Sequence, residues 1–242
     1  MKSSFKRRML LMLGALLVQS IYIPTSLLTQ GGIAPKLPVD IFPLWTVWVI
    51  PYVLCYPLWV GGLVWLVWKA DEERFRTAVA ALFLTCLLGV SVYLIFPTYV
   101  VLPELQGDDF LASLLRAIQV AGGNHDALPS AHVYTTMALA LLYRNWHPKQ
   151  SRLWAAIVVI VSLSTLFTKQ HYIADVLAGY LTAWVGYRCA LWRSIPRHKA
   201  GKPSLSGKLH YLMNVALKWH RLRNPASRMD DHGQSVFRAD GV

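Results

Sequence analysis

The chain has 242 residues, 55% of them hydrophobic, with a mean hydropathy of +0.39 and a net charge of +12. A chain this apolar is not an ordinary soluble domain, and cationic flanks beside an anionic leaflet account for its charge without nucleic acid as a partner. Cys55, Cys86 and Cys189 lie far apart inside apolar runs with no ligand spacing, so they read as buried packing residues and imply neither a disulfide framework nor a cysteine metal site.

Lys6, Arg7 and Arg8 precede the first apolar run, 9–28. Its length, and the lack of a small-x-small cleavage site, favour a retained anchor over a cleaved signal. Runs at 43–68 and 77–97 follow, then the Pro-punctuated loop PTYVVLPEL at 97–105. Over 108–120 the residues Phe110, Leu111, Leu114, Leu115 and Ile118 keep helical spacing, and Asp108 or Asp109 suits the N-cap. This predicts a short amphipathic helix on the outer surface, its apolar face serving as packing or as a rim for a lipid.

Three more runs cover 131–143, 153–168 and 172–192. Four of the six approach the ~20 residues that a ~30 Å hydrocarbon layer requires. The run at 131–143 is short and that at 153–168 is marginal, so both need extension by neighbours or burial inside the bundle. The expectation is an all-α fold: a polytopic membrane bundle of about six transmembrane helices over residues 1–195. A basic cytoplasmic tail, 196–242, follows, with an interfacial helix at 205–223. His210, His220 and His232 in that tail read as solvent or headgroup residues.

Charge sets the orientation. With the N-terminus inside, all but three of the 24 lysines and arginines fall on the cytoplasmic side; the exceptions are Lys36, Arg116 and Lys169. The positive-inside rule asks for this division. It places both termini in the cytoplasm, most naturally beneath a plasma membrane, and leaves the 97–130 and 168–172 segments outside.

Those outer segments carry the polar residues that lipid does not explain. In HDALPSAHVYTT, residues 125–136, Pro129 and Ser130 suit a helix start. The backbone N–H groups after Ser130, beginning at Ala131, together with the Ser130 hydroxyl, would make an anion site. His132 in that first turn can hydrogen-bond to a phosphoryl oxygen or protonate a leaving alkoxide. In TKQHYIADVLAG, residues 168–179, His171 and Asp175 stand four apart and share a face if this stretch opens the last helix. A carboxylate on one ring nitrogen fixes the tautomer and leaves the other nitrogen to attack. Taken singly, His132 can be a structural histidine, and His171–Asp175 a packing bond or part of a proton path. The three could also ligate a metal, though no paired-histidine or carboxylate-rich motif supports that. Two clusters on one membrane face make catalysis the better account.

With these residues in view, the chain resembles the type 2 phosphatidic acid phosphatase superfamily of lipid phosphatases and related phosphotransferases. The family's Pro-Ser-Gly-His signature has its counterpart in Pro129-Ser130-Ala131-His132, and its His-x3-Asp ending in His171-Tyr172-Ile173-Ala174-Asp175. Two phosphate-clamping arginines of the family have no counterpart: the Ser-Arg pair falls on Ser164-Thr165, and before Pro103 stands Leu102. The His-Tyr form is also similar to the branch of inositol phosphorylceramide synthases. The resemblance implies a metal-independent, cofactor-free enzyme acting on a lipid phosphate. His171 would be the nucleophile that forms a phosphohistidine, Asp175 its orienting carboxylate and His132 the acid and base. Ser130 and the Ala131 backbone would bind phosphate, with Lys169 and Arg116 standing in for the missing arginines. The intermediate goes to water in a phosphatase, or to an alcohol acceptor in a headgroup phosphotransferase. A catalytically inactive lipid-binding or transport protein is the third expectation, motivated by the missing arginines. Oligomeric state is not legible.

Overall fold

A computed structural model describes residues 5–194 of the chain. Helix α1 (Phe5–Ser20) continues, after a turn at Ile21, into α2 (Tyr22–Leu28). A 3-10 turn at Thr46–Trp48 leads into α3 (Val49–Trp68), followed by α4 (Glu72–Ile95) and the shorter α5 (Phe110–Gly122). Then come α6 (Ala131–Trp146), α7 (Ser151–Phe167) with its 3-10 lead at Pro148–Gln150, and α8 (Ile173–Ser194). Among the described residues there is no strand, only isolated bridges joining Ile33 to Thr98 and Tyr99 to His125. The tail, with the helix expected at 205–223, lies outside the described residues.

Four helical stretches are long and apolar enough to cross a membrane: Phe5–Leu28, Thr46–Trp68, Glu72–Ile95 and Pro148–Phe167. The marginal run at 153–168 thus gains its length from residues before it. Helix α6 has 16 residues and buries Val133, Tyr134, Thr136, Ala138, Leu139, Ala140, Leu142 and Tyr143. It packs against α7 and α8, while α8 lies along α4. A short helix with so many covered positions is an inner element of the bundle.

Local chemistry sets the boundaries. Asp71 caps α4 by accepting the Arg74 N–H at 2.8 Å, and Glu72 and Glu73 complement the dipole behind it. Asp109 caps α5 by accepting the Leu111 and Ala112 N–H groups, as the sequence pattern anticipates, and Gly123 at φ 67° ends it in a conformation that favours glycine. Arg8 pins α1 to the turn between α3 and α4. Its guanidinium donates to the carbonyls of Val67 and Ala70, pairs with Glu72 at 3.2 Å and lies over the Phe75 ring.

At Gly89 of α4 a β-carbon would stand 2.8 Å from the Tyr134 ring, so only glycine lets this buried tyrosine reach the helix. The Tyr134 hydroxyl then donates to Gln19 at 2.6 Å, tying α6 to α1. The expectation of three buried cysteines holds for Cys55 and Cys86 but not for Cys189, which is exposed. An apolar neighbourhood in sequence does not say which face of α8 meets a neighbour.

Candidate active site

The chain leaves α7 through Thr168 and turns at Lys169, whose φ of 58° is left-handed. The Thr165 carbonyl accepts the N–H groups of both Gln170 and His171, closing the turn. Helix α8 therefore begins at Ile173, and His171 stands just before it rather than on its first turn as the spacing suggested. The pairing survives because Asp175 reaches backward. Its Oδ2 accepts the Tyr172 N–H at 2.8 Å and meets His171 Nδ1 at 3.3 Å. One carboxylate oxygen thus caps the helix, in the manner of a third-position acid, and holds the imidazole. With the carboxylate as the acceptor in this contact, Nδ1 is the donor and Nε2 is the nitrogen left to act.

A second carboxylate supports the same helix start from far away in sequence. Asp40 Oδ1 accepts the Ile173 N–H at 2.8 Å, and its Oδ2 accepts the Leu37 N–H at 2.7 Å. Nearby, Leu128 N–H donates to Thr98 Oγ1 and Val101 N–H to the Tyr172 hydroxyl, fastening the loops at this end of the helices to one another. Within them Asp126 is buried, and burial raises its carboxyl from its ordinary value against the opposing pull of Thr25 and His125.

The first turn of α6 abuts the first turn of α8. Ser130 N–H donates to the Asp175 carbonyl at 3.0 Å, and Gly179 makes the approach possible: a β-carbon there would lie 3.1 Å from the Ser130 carbonyl oxygen. Two helix N-termini, each the positive end of its helix, therefore lie side by side. Ser130 occupies the N-cap position of α6, but its hydroxyl makes no capping bond; it is fully buried without a partner. His132 Nδ1 and Asp175 Oδ1 are likewise buried and unpartnered. Buried polar atoms are nearly always satisfied, and of the seven unsatisfied side-chain atoms among the described residues three fall on these motif residues; the others belong to Arg8, Thr85 and Asp126.

His132 faces His171 with ring centroids 6.2 Å apart. The ring is seated by α3: Tyr52 packs on it at 4.2 Å, Trp59 lies 5.5 Å away, and the Tyr56 hydroxyl stands 3.0 Å from Nε2. The residues singled out in two distant sequence clusters thus form one constellation, with an imidazole on each side of a gap and a carboxylate behind one of them.

A family model described as the PAP2 superfamily matches residues 40–189, more than half of the chain and every helix from α3 to most of α8. The chain belongs to the PAP2 superfamily. No curated protein and no solved structure matches it. Members of the PAP2 superfamily are generally phosphatases or related enzymes, and membership suggests phosphatase-type activity.

For a PAP2 superfamily member the two missing arginines matter most. Lys169 lies in the turn two residues before His171, partly buried. Arg116 is engaged elsewhere: its guanidinium donates to the Gly107 carbonyl at 2.8 Å and lies 3.7 Å from Asp108, bracing the loop that precedes α5. Among the described residues no group of three or more His, Cys, Asp or Glu side chains is arranged to hold a metal. Sequence reasoning missed Asp40, Tyr52, Tyr56 and Trp59. The three aromatics share a face of α3 at i, i+4 and i+7, a spacing that inside an apolar run reads as packing. Nothing local to Asp40 announces a partner 133 residues on.

Proposed function

We propose that the protein is a membrane-embedded, metal-independent hydrolase that cleaves a phosphate ester or anhydride of a lipid through a phosphohistidine. The observation that carries this reading is the pair of imidazoles 6.2 Å apart, one of them backed by Asp175 at 3.3 Å. His171 Nε2 attacks phosphorus while the bond to the lipid oxygen breaks, and the leaving oxygen takes a proton from His132. Water then attacks the phosphohistidine, returning a proton to His132 and freeing inorganic phosphate. The Ser130 hydroxyl and the N–H groups from Ala131 onward hold phosphoryl oxygens at the paired helix ends. Lys169, two residues before His171, supplies one cation, and Arg116 a second if the loop before α5 releases it.

In this reading the four apolar stretches, α6 and α8 make six spans. The amphipathic α5 rests on the outer surface, both termini are cytoplasmic and the catalytic pair faces out from the plasma membrane. The division into a membrane domain, 1–195, and a basic tail belongs to the same proposal. The His171-Tyr172 pair favours a second reading, in which an alcohol resolves the intermediate as in the inositol phosphorylceramide synthase branch. Product analysis with lipid phosphates in liposomes, with and without chelator and candidate alcohols, tests both. Free phosphate supports hydrolysis and a new phosphorylated alcohol supports transfer. Full turnover by folded H171A refutes the phosphohistidine route, and binding without any turnover by the wild type supports an inactive lipid-binding protein.

A further inference from the structure

The face that α3 turns toward the site is built from Tyr52, Tyr56 and Trp59, and all three act on the same histidine. Tyr52 packs against the His132 ring at a tilt of 33°, centroids 4.2 Å apart. Trp59 works through a relay: its Nε1–H donates to Thr136 Oγ1 at 3.0 Å, and that hydroxyl donates to the His132 carbonyl at 2.7 Å. The Thr136 hydroxyl is thereby used once as acceptor and once as donor, which fixes its direction and ties the His132 backbone to α3. Tyr56 addresses the ring itself, with its hydroxyl 3.0 Å from Nε2, while its own ring packs edge-on against Trp59 at 5.2 Å. Tyr56 is 44% exposed, so packing alone does not explain why its hydroxyl turns inward.

We infer that Tyr56 is a positioning residue for His132, holding the imidazole at Nε2 so that Nδ1 is the atom that gives and takes the proton. The inference rests on the proposed role of His132 as acid and base. An acid–base histidine must keep one nitrogen aimed at the reacting oxygen through both of its protonation states, and a hydroxyl can partner both. When His132 is imidazolium, Nε2–H donates to the phenol oxygen and Nδ1–H faces the leaving oxygen. After that proton has gone, Nε2–H still donates to Tyr56 and Nδ1 carries the lone pair that later takes a proton from water. The buried Nδ1 without a partner is the nitrogen this scheme leaves for the reaction. The arrangement mirrors the opposite side of the gap: His171 is held at Nδ1 by Asp175 and acts through Nε2, whereas His132 is held at Nε2 by Tyr56 and acts through Nδ1.

The test exploits the fact that an aryl leaving group departs without help from an acid, whereas an alkoxide needs it. Tyr56→Phe keeps the ring and its packing and removes only the hydroxyl. With purified protein, kcat/KM is measured on an alkyl lipid phosphate and on p-nitrophenyl phosphate, for wild type, Y56F and H132A. Y56F is expected to lose on the order of 10²-fold on the alkyl ester and little on the aryl ester, since general acid catalysis contributes about that much. H132A should show the same selectivity, more strongly. If H132A spares the aryl ester while Y56F is unimpaired, or loses equally on both esters, Tyr56 does not act through His132 and the inference fails alone. If H132A itself loses equally on both, the acid role of His132 fails and takes the inference with it.

Discussion

Replacing Asp175 by asparagine separates two jobs that one oxygen performs. Oδ2 receives both the Tyr172 N–H at 2.8 Å and His171 Nδ1 at 3.3 Å, so an amide whose carbonyl takes that place keeps both contacts and loses only the charge. The amide nitrogen then sits where Oδ1 was, a position already buried with no partner, so the exchange adds no newly unsatisfied group and should change stability by no more than about 1 kcal/mol. The effect on turnover is larger. As His171 attacks phosphorus its ring becomes cationic, and unit charges 3.3 Å apart interact by about 5 kcal/mol at an effective dielectric of ~20. Only part of that charge has developed in the transition state, and the amide dipole restores some of the loss. A fall in kcat on the order of 10²–10⁴-fold is therefore expected. The assay is phosphate release from a lipid phosphate by purified D175N in detergent, with thermal unfolding measured beside it. D175A, which also loses the cap, should fall further in both measurements. A folded D175N with near-wild-type kcat would refute the charge argument, whatever its Tm.

Asp40→Ala strips two part-buried N–H groups of their acceptor and should cost about 1–3 kcal/mol in thermal or denaturant unfolding, with turnover falling as His171 loosens; an unchanged Tm would show that the loop does not brace α8. Lys169→Ala should lower kcat/KM roughly 10- to 100-fold, the worth of one charge-assisted hydrogen bond, while K36A stays near wild type; equal kinetics for the two removes Lys169 from the site. Asp126 has a raised carboxyl in the folded protein, so its contribution is intact below the unfolded value and stability is lost as pH rises through the folded one. Asp126→Asn, which tolerates the left-handed φ of 55°, should raise the Tm at neutral pH and lose that advantage in acid; a pH-independent difference contradicts the assignment. In a background with the exposed Cys189 replaced, a cysteine at Gln106 should react with an impermeant outside reagent and one at Gln150 should not, and the reverse pattern overturns the orientation.

What could be read from the sequence was whatever depends on neighbours along the chain. Asp109 and the spacing of Phe110, Leu111, Leu114 and Leu115 located α5, because capping and amphipathicity are local. Pro129-Ser130 located the start of α6 for the same reason, although the Ser130 hydroxyl turned out to be withheld from the cap. His171 and Asp175 were legible as a pair, since four residues is a short reach whether or not a helix lies between them. Their junction with His132 was legible only through topology, which put both clusters at one end of the bundle. The long-range partners were hidden. Asp40 caps a helix far down the chain, and Tyr52, Tyr56 and Trp59 carry no mark separating a histidine seat from an ordinary apolar face. The exposed Cys189 was misjudged for a related reason: hydropathy says that a residue tolerates burial, not that a neighbour arrives to cover it.

The bond from Ser130 N–H to the Asp175 carbonyl has a consequence for biosynthesis. It joins the start of α6 to the start of α8, and the approach of Gly179 to Ser130 brings the two ends into register. Until α8 docks, His132 has no facing imidazole and the Ser130 amide has no acceptor. On the proposed reading, a nascent chain in which α8 has not docked holds the acid His132 without the nucleophile His171 facing it. On the same reading activity is expected only once α8 is in place, so a product truncated before α8 should release no phosphate from a lipid phosphate.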